Sequence, residues 1–175
     1  MAPILGIGLG VAINDRYSLF LAIQQFSIAI LIAILTSTLY FLITPLGSLT
    51  AEIQARTAPT FLDELVAVFG GLAGIISISR KEPSSAIPGV AIATALMPPL
   101  CVTGFGIANG NWLIALNSFY LFFLNSFFIA LTAFLIIRLL RFPLKERLDE
   151  QQGRRTRLII ILFSFSIVIP SAYLI

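Results

Sequence analysis

The feature that most limits what this chain can fold into is a series of long apolar runs. A bilayer core about 30 Å thick is crossed by roughly 20 residues of helix rising 1.5 Å each. Leu19–Ile43 has that length without one charged side chain, and it stops at Thr44, Pro45 and Gly47, residues that end helices and make turns. Phe61–Ser79, Ile87–Ala108, Trp112–Ile137 and Leu158–Ile175 follow, so the expected fold is an all-α integral membrane protein, a helical bundle of about five full spans. Met1–Ile13 is apolar but thirteen residues long, too short to cross, and is expected to be an N-terminal half span. It is no secretory signal, because the first basic residue, Arg16, comes after the apolar run. Composition agrees: 58% of residues are hydrophobic and 11% charged, too few charges to coat a water-facing surface.

Several chemistries are excluded. The single cysteine, Cys101, makes no disulfide scaffold and is expected to be an inert buried thiol. The absence of histidine removes imidazole zinc sites and triads built on a histidine base, and no metal or cofactor is expected. The net charge of +3 is explained by membrane topology. With strict alternation of the segments, ten of the eleven basic residues fall on one face and Arg56 alone on the other, so the richer face is cytoplasmic.

The chain also resembles itself. Met1–Ala12 aligns with Met97–Ala108 at an offset of 96, with five of twelve positions identical: Met1, Pro3, Gly8, Gly10 and Ala12 against Met97, Pro99, Gly104, Gly106 and Ala108. Both copies lead through an Asn-containing turn, at Asn14 and Asp15 or at Asn109 and Asn111, into a long helix. A three-span unit crosses an odd number of times, so consecutive units enter the membrane from opposite faces, the inverted-repeat plan of many secondary transporters. The expected organisation is a transmembrane core over 1–137, with a partial repeat at 1–43 and a second at 61–137. A basic cytoplasmic loop at 138–157 and an additional helix at 158–175 complete it.

The runs MAPILGIGLG, RTAPTFLDELVAVFGGLAG and SSAIPGVAIATALMPPLCVTGFGIANGNW resemble the hallmark segments of the bacterial hydrophobic family catalogued as domain of unknown function 389. The resemblance covers roughly Met1 to Arg141. It implies a multi-span inner-membrane protein and brings no catalytic residue or ligand. It also implies further membrane sequence before the segment matching Met1, so the chain is expected to be a fragment lacking that part.

The sharpest candidate sites are the two MxP segments. Pro98 and Pro99 stand mid-span, where proline removes a backbone donor and clashes with the preceding turn, so that span is expected to be kinked or broken. Freed backbone groups at membrane depth are tolerated where protein buries them or water lines a cavity. Pro3, Pro98 and Pro99, with the hydroxyls of Thr94 and Thr103, are the expected solute or ion pathway, the two segments facing each other. The alternative is a proline-kinked, packed helix whose carbonyls are met by threonines. Asp63 and Glu64 are the acidic residues inside a predicted span, candidates for ion coupling. Their position just after Thr60 equally suits a capping box with Arg56 as ion-pair partner. Gly6, Gly10, Gly70, Gly74, Gly104 and Gly106 supply small-residue faces for helix packing. Ser84 and Ser85 lie in a polar turn with no base in view, so the chain is not expected to be an enzyme.

The function expected is a transporter- or channel-like core moving a small solute or ion across the bacterial inner membrane. The alternative is a non-transporting membrane scaffold. Expected partners are the bilayer and, at the 138–157 loop, anionic lipid headgroups; a homo-oligomer is left open, and nucleic acid is not expected.

Overall fold

A computed structural model describes residues 3–44, 48–78 and 86–140, with backbone alone at 78 and 86–88. Every regular element among the described residues is helical: α1 (Pro3–Ile13), α2 (Arg16–Ile43), α3 (Ala51–Ala55), α4 (Phe61–Ile78), α5 (Ala86–Ala108) and α6 (Trp112–Leu139). Three of them, α2, α5 and α6, are long and apolar enough to cross a membrane. At 28 residues each, α2 and α6 extend about 42 Å. The expected helix over Leu158–Ile175, the loop 138–157 beyond Leu140, and Ser84 with Ser85 lie outside the described residues.

Local chemistry sets the helix boundaries. Asp15 caps α2 by accepting from the Ser18 amide at 3.2 Å and the Ser18 hydroxyl at 2.6 Å. Asn111 caps α6 in the same way, its Oδ1 accepting from the Ile114 amide at 3.3 Å. The residue before each cap takes a positive φ, 57° at Asn14 and 67° at Gly110, which turns the chain back on itself. Each cap amide then donates to a glycine carbonyl, Asp15 to Gly10 at 2.9 Å and Asn111 to Gly106 at 2.8 Å. These are close approaches: a Cβ on Gly10 would lie 3.0 Å from the Leu19 backbone, and one on Gly106 would lie 2.6 Å from the Ala115 amide nitrogen. These five pairs of positions stand 96 residues apart, so the turns of the two hairpins, α1–α2 and α5–α6, share the same backbone pattern.

The hairpins interlock. The packed pairs α1 on α2, α2 on α5, α5 on α6 and α6 on α1 close a four-helix ring, with α4 on the outside against α5 and α6. The contacts are reciprocal. A Cβ on Gly8 would lie 2.6 Å from the Ala133 Cβ and 3.2 Å from the Phe134 amide nitrogen; one on Gly104 would meet the equivalent atoms of Ser37 and Thr38. Phe26 and Phe122, themselves equivalent positions, stack on each other across the ring with centroids 5.8 Å apart. Along α2 and α5, Ser37 meets Cys101 and Phe41 meets Phe105, so these two helices run in the same direction. Each is antiparallel to its hairpin partner, so α1 runs opposite to α5 and α2 opposite to α6.

The core joins Ile4 and Leu5 of α1, Ala67 and Ile75 of α4, Leu96 and Leu100 of α5, and Phe122, Ile129 and Ala133 of α6. Outward faces carry large apolar side chains that are more than half exposed, such as Leu31, Leu35 and Leu39 on α2, as expected of a surface that meets lipid. One expectation is corrected: α5 is not broken at Pro98 and Pro99, and continues as one helix from Ala86 to Ala108. The reason lies in α6.

A candidate site in the seam between α5 and α6

On α6, Ser118, Asn125 and Thr132 recur every seven residues, which puts them on one face of the helix. All three are buried. Buried polar groups need partners, and α5 supplies them for Ser118 and Asn125. Pro99 has no amide hydrogen to give to the carbonyl four residues back, at Ala95. The Asn125 Nδ2 donates to that Ala95 carbonyl at 3.0 Å and takes the place of the missing helical bond. One turn on, the Thr103 hydroxyl donates to the Pro99 carbonyl at 2.9 Å and stands 3.3 Å from the Ser118 hydroxyl. Ser118 also donates to the Ile114 carbonyl at 2.6 Å. The seam is therefore a short hydrogen-bonded ladder at the proline pair. Its open valence is the Asn125 Oδ1, which is buried without a hydrogen-bond partner, as are the Thr38 Oγ1 and the Tyr120 hydroxyl.

The expected site residues distribute unevenly around this seam. Thr103 and Pro99 belong to it, and both are buried. Thr94 faces outward and bonds the Ala91 carbonyl of its own helix at 2.8 Å. Pro98 is half-buried. Pro3 opens α1, where a proline lacks an amide that the helix would not have used. Helices α1 and α5 occupy opposite corners of the ring, and Ile4 of the first MxP segment shares an apolar core with Leu96 and Leu100 of the second and with Phe122 of α6. The glycine faces of α1 and α5 pack against α6 at Gly8 and against α2 at Gly104.

Asp63 sits in a reciprocal capping box. Its Oδ2 accepts from the Thr60 amide at 3.1 Å and hydroxyl at 2.6 Å, while the Thr60 Oγ1 accepts from the Asp63 amide at 3.3 Å. The Arg56 guanidinium completes it with an ion pair at 3.5 Å. Glu64 is half-buried in the same turn. Of the packing glycines, Gly6 lies against Ala22 and Gly74 against Leu5, but Gly70 has only ordinary contact with Ala91. Its neighbour Gly71 is tight against backbone, where an added Cβ would lie 2.9 Å from the Ile129 carbonyl oxygen. Cys101 is exposed on the outer side of α5, which corrects the expectation of a buried thiol.

Sequence reasoning passed over Asn125, Ser118 and Ser37. The heptad spacing of Ser118, Asn125 and Thr132 was the available signal. Ser37, which donates to the Cys101 carbonyl at 2.7 Å, gave none, since a serine in an apolar run bonds its own helix as readily as a neighbour.

Residues 1–131 match the family model described as Domain of unknown function (DUF389). An uncharacterised protein of Methanocaldococcus jannaschii is 29% identical over 140 residues, covering 78% of this chain and 43% of the relative. The chain thus spans less than half the length of that curated relative. No solved structure matches.

Proposed function

The chain belongs to the domain of unknown function 389 family, and on that premise we propose that it is the core of an inverted-repeat transporter or channel for a small solute or ion. The observation that carries the proposal is the pairing of Phe26 with Phe122. Two residues at equivalent positions of a repeat touch each other only near a two-fold axis, and the reciprocal seats of Gly8 and Gly104 obey the same operator. Opposed running directions of α1 and α5 put that axis in the plane of the membrane. The reading places the chain in a bacterial inner membrane with five spans and with the 138–157 loop at cytoplasmic anionic headgroups. In this reading the protein binds and moves its cargo.

The pathway in this reading runs along the α5–α6 seam. Carbonyls next to Pro98 and Pro99, the Thr103 and Ser118 hydroxyls, and the open Asn125 Oδ1 are oxygen ligands of the kind a dehydrated cation or a small hydrogen-bonding solute uses. Asp63, held by Thr60 and Arg56, positions α4 and is not part of that path. A scaffold is the second reading, favoured by the apolar packing between the two MxP corners.

Flux assays on the full-length protein in liposomes, over a panel of monovalent cations, protons, anions and small polar solutes, test the proposal. Transport predicts flux of one class that Asn125→Leu abolishes. It also predicts that single cysteines at Ser118, Asn125 and Thr132 react with a water-soluble maleimide. A protein without flux across the panel whose seam cysteines stay unreactive is a scaffold.

A further inference from the structure

The seam between α5 and α6 carries more polar groups than a proline pair requires. Asn125 uses its Nδ2 to meet the Ala95 carbonyl, yet its Oδ1 is buried without a partner in a residue only 3% exposed. Thr103 and Ser118 bond the carbonyls of Pro99 and Ile114, which a regular helix already bonds through the amides of the same two residues. The other hairpin folds without these groups: 96 residues earlier stand Ile7, Ala22 and Ala29.

What the surplus groups present follows from where their hydrogens go. A hydroxyl has one hydrogen. That of Ser118 goes to the Ile114 carbonyl at 2.6 Å and that of Thr103 to the Pro99 carbonyl at 2.9 Å, both shorter than the 3.3 Å between the two hydroxyl oxygens. These oxygens therefore meet as acceptors. Asn125 lies about 10 Å further along α6, and its Oδ1 is an acceptor too. Against three acceptor oxygens stands one remaining donor, the second hydrogen on the Asn125 Nδ2.

We propose that the seam binds a monovalent cation, which rests on the transport reading above for a cargo and narrows that cargo to one class. An anion would face lone pairs. A neutral polar solute brings acceptors of its own, and the seam has a single hydrogen for them. Divalent ions are held by carboxylates, and Asp63 on the neighbouring α4 is engaged by Thr60 and Arg56. A monovalent cation needs acceptors alone, as where backbone carbonyls replace the hydration shell of potassium in a selectivity filter. Separate oxygen positions along one seam also suit an ion that must leave as well as enter.

Full-length protein in detergent micelles is melted at fixed ionic strength in choline chloride, with sodium, potassium or ammonium replacing choline in steps, and separately with nitrate or bromide replacing chloride. The proposal expects a saturable upward shift in melting temperature with at least one of the three cations and none with the anions. Ser118→Ala combined with Thr103→Val removes two of the three oxygens and leaves both helices their amide bonds. This double variant should need about tenfold more of the same cation for half the shift. No saturable shift with any of the three cations, a shift that follows the anion, or one that the double variant leaves unchanged would each overturn the proposal. Flux in liposomes judges transport separately. Saturable cation binding without flux would sink the transport reading and leave the site standing, whereas flux of an anion or a neutral solute would keep transport and overturn the cation.

Discussion

Asn125 of α6 donates to the carbonyl of Ala95, the acceptor that Pro99 leaves without a helical partner, across 30 residues of sequence and 3.0 Å of space. The bond explains how a proline pair is accommodated in a continuous apolar helix. Asn125→Leu removes the donor at similar volume and should cost about 1–3 kcal/mol, the penalty for stranding a buried carbonyl. Pro99→Ala supplies a new amide for the same acceptor, so the double variant should recover much of the loss. Unfolding of the four proteins in mixed micelles, followed by circular dichroism, reads the coupling; simple addition of the two effects would show that the bond does not bridge the gap.

The reciprocal glycine seats make a paired prediction. Gly8→Val drives side-chain atoms into the Ala130 carbonyl and Ala133, and Gly104→Val drives them into Ser37. Each should destabilise by about 1–3 kcal/mol through overpacking. Gly70→Ala, with nothing nearer than 3.9 Å, should be neutral or slightly stabilising, because alanine favours helix by about 1 kcal/mol. Thermal unfolding in detergent ranks the three. An effect at Gly8 without one at Gly104 would count against the shared operator.

Helix caps should also behave as a pair. Asp15→Ala and Asn111→Ala each remove a side-chain acceptor at the start of a 28-residue helix and should cost about 1 kcal/mol apiece. Asp15→Asn keeps the acceptor geometry and should cost less than Asp15→Ala. Amide exchange at Ser18 and Ile114 provides the local readout, with faster exchange expected in the alanine variants alone.

At the start of α4 the cap and the ion pair separate by salt. Thr60→Ala should cost about 1 kcal/mol at any ionic strength, since it breaks neutral and charge-assisted bonds within one turn. Arg56→Ala should cost less than about 1 kcal/mol, with the difference from the parent fading in high salt, because the guanidinium is 36% exposed. Stability measured at low and high salt distinguishes them; a salt-independent loss for Arg56→Ala would mean that its packing matters more than its charge.

Much of the architecture was legible in the residues because its causes are local. Apolar length fixes where helices run, and Asp15, Asn111 and Thr60 mark their beginnings through hydrogen bonds within three residues. Gly10 and Gly106, which match in the sequence, each accept from the amide of the cap residue that follows, so the turns before α2 and α6 close with the same backbone bond. Side-chain roles at a distance were less legible. Pro98 and Pro99 read as a kink or a break, with a packed helix as the alternative, and Cys101 read as buried.

By itself, then, the sequence determined that this chain is helical and apolar on its outside, since those properties follow from composition, apolar length and caps. Only the tertiary structure decided which groups meet. Asn125 could reach any of several carbonyls, and the glycines could admit any helix. The choice of Ala95 and of Ser37 came from how two hairpins interlock, because a hydrogen bond or a close backbone contact depends on the relative placement of helices that no local pattern specifies.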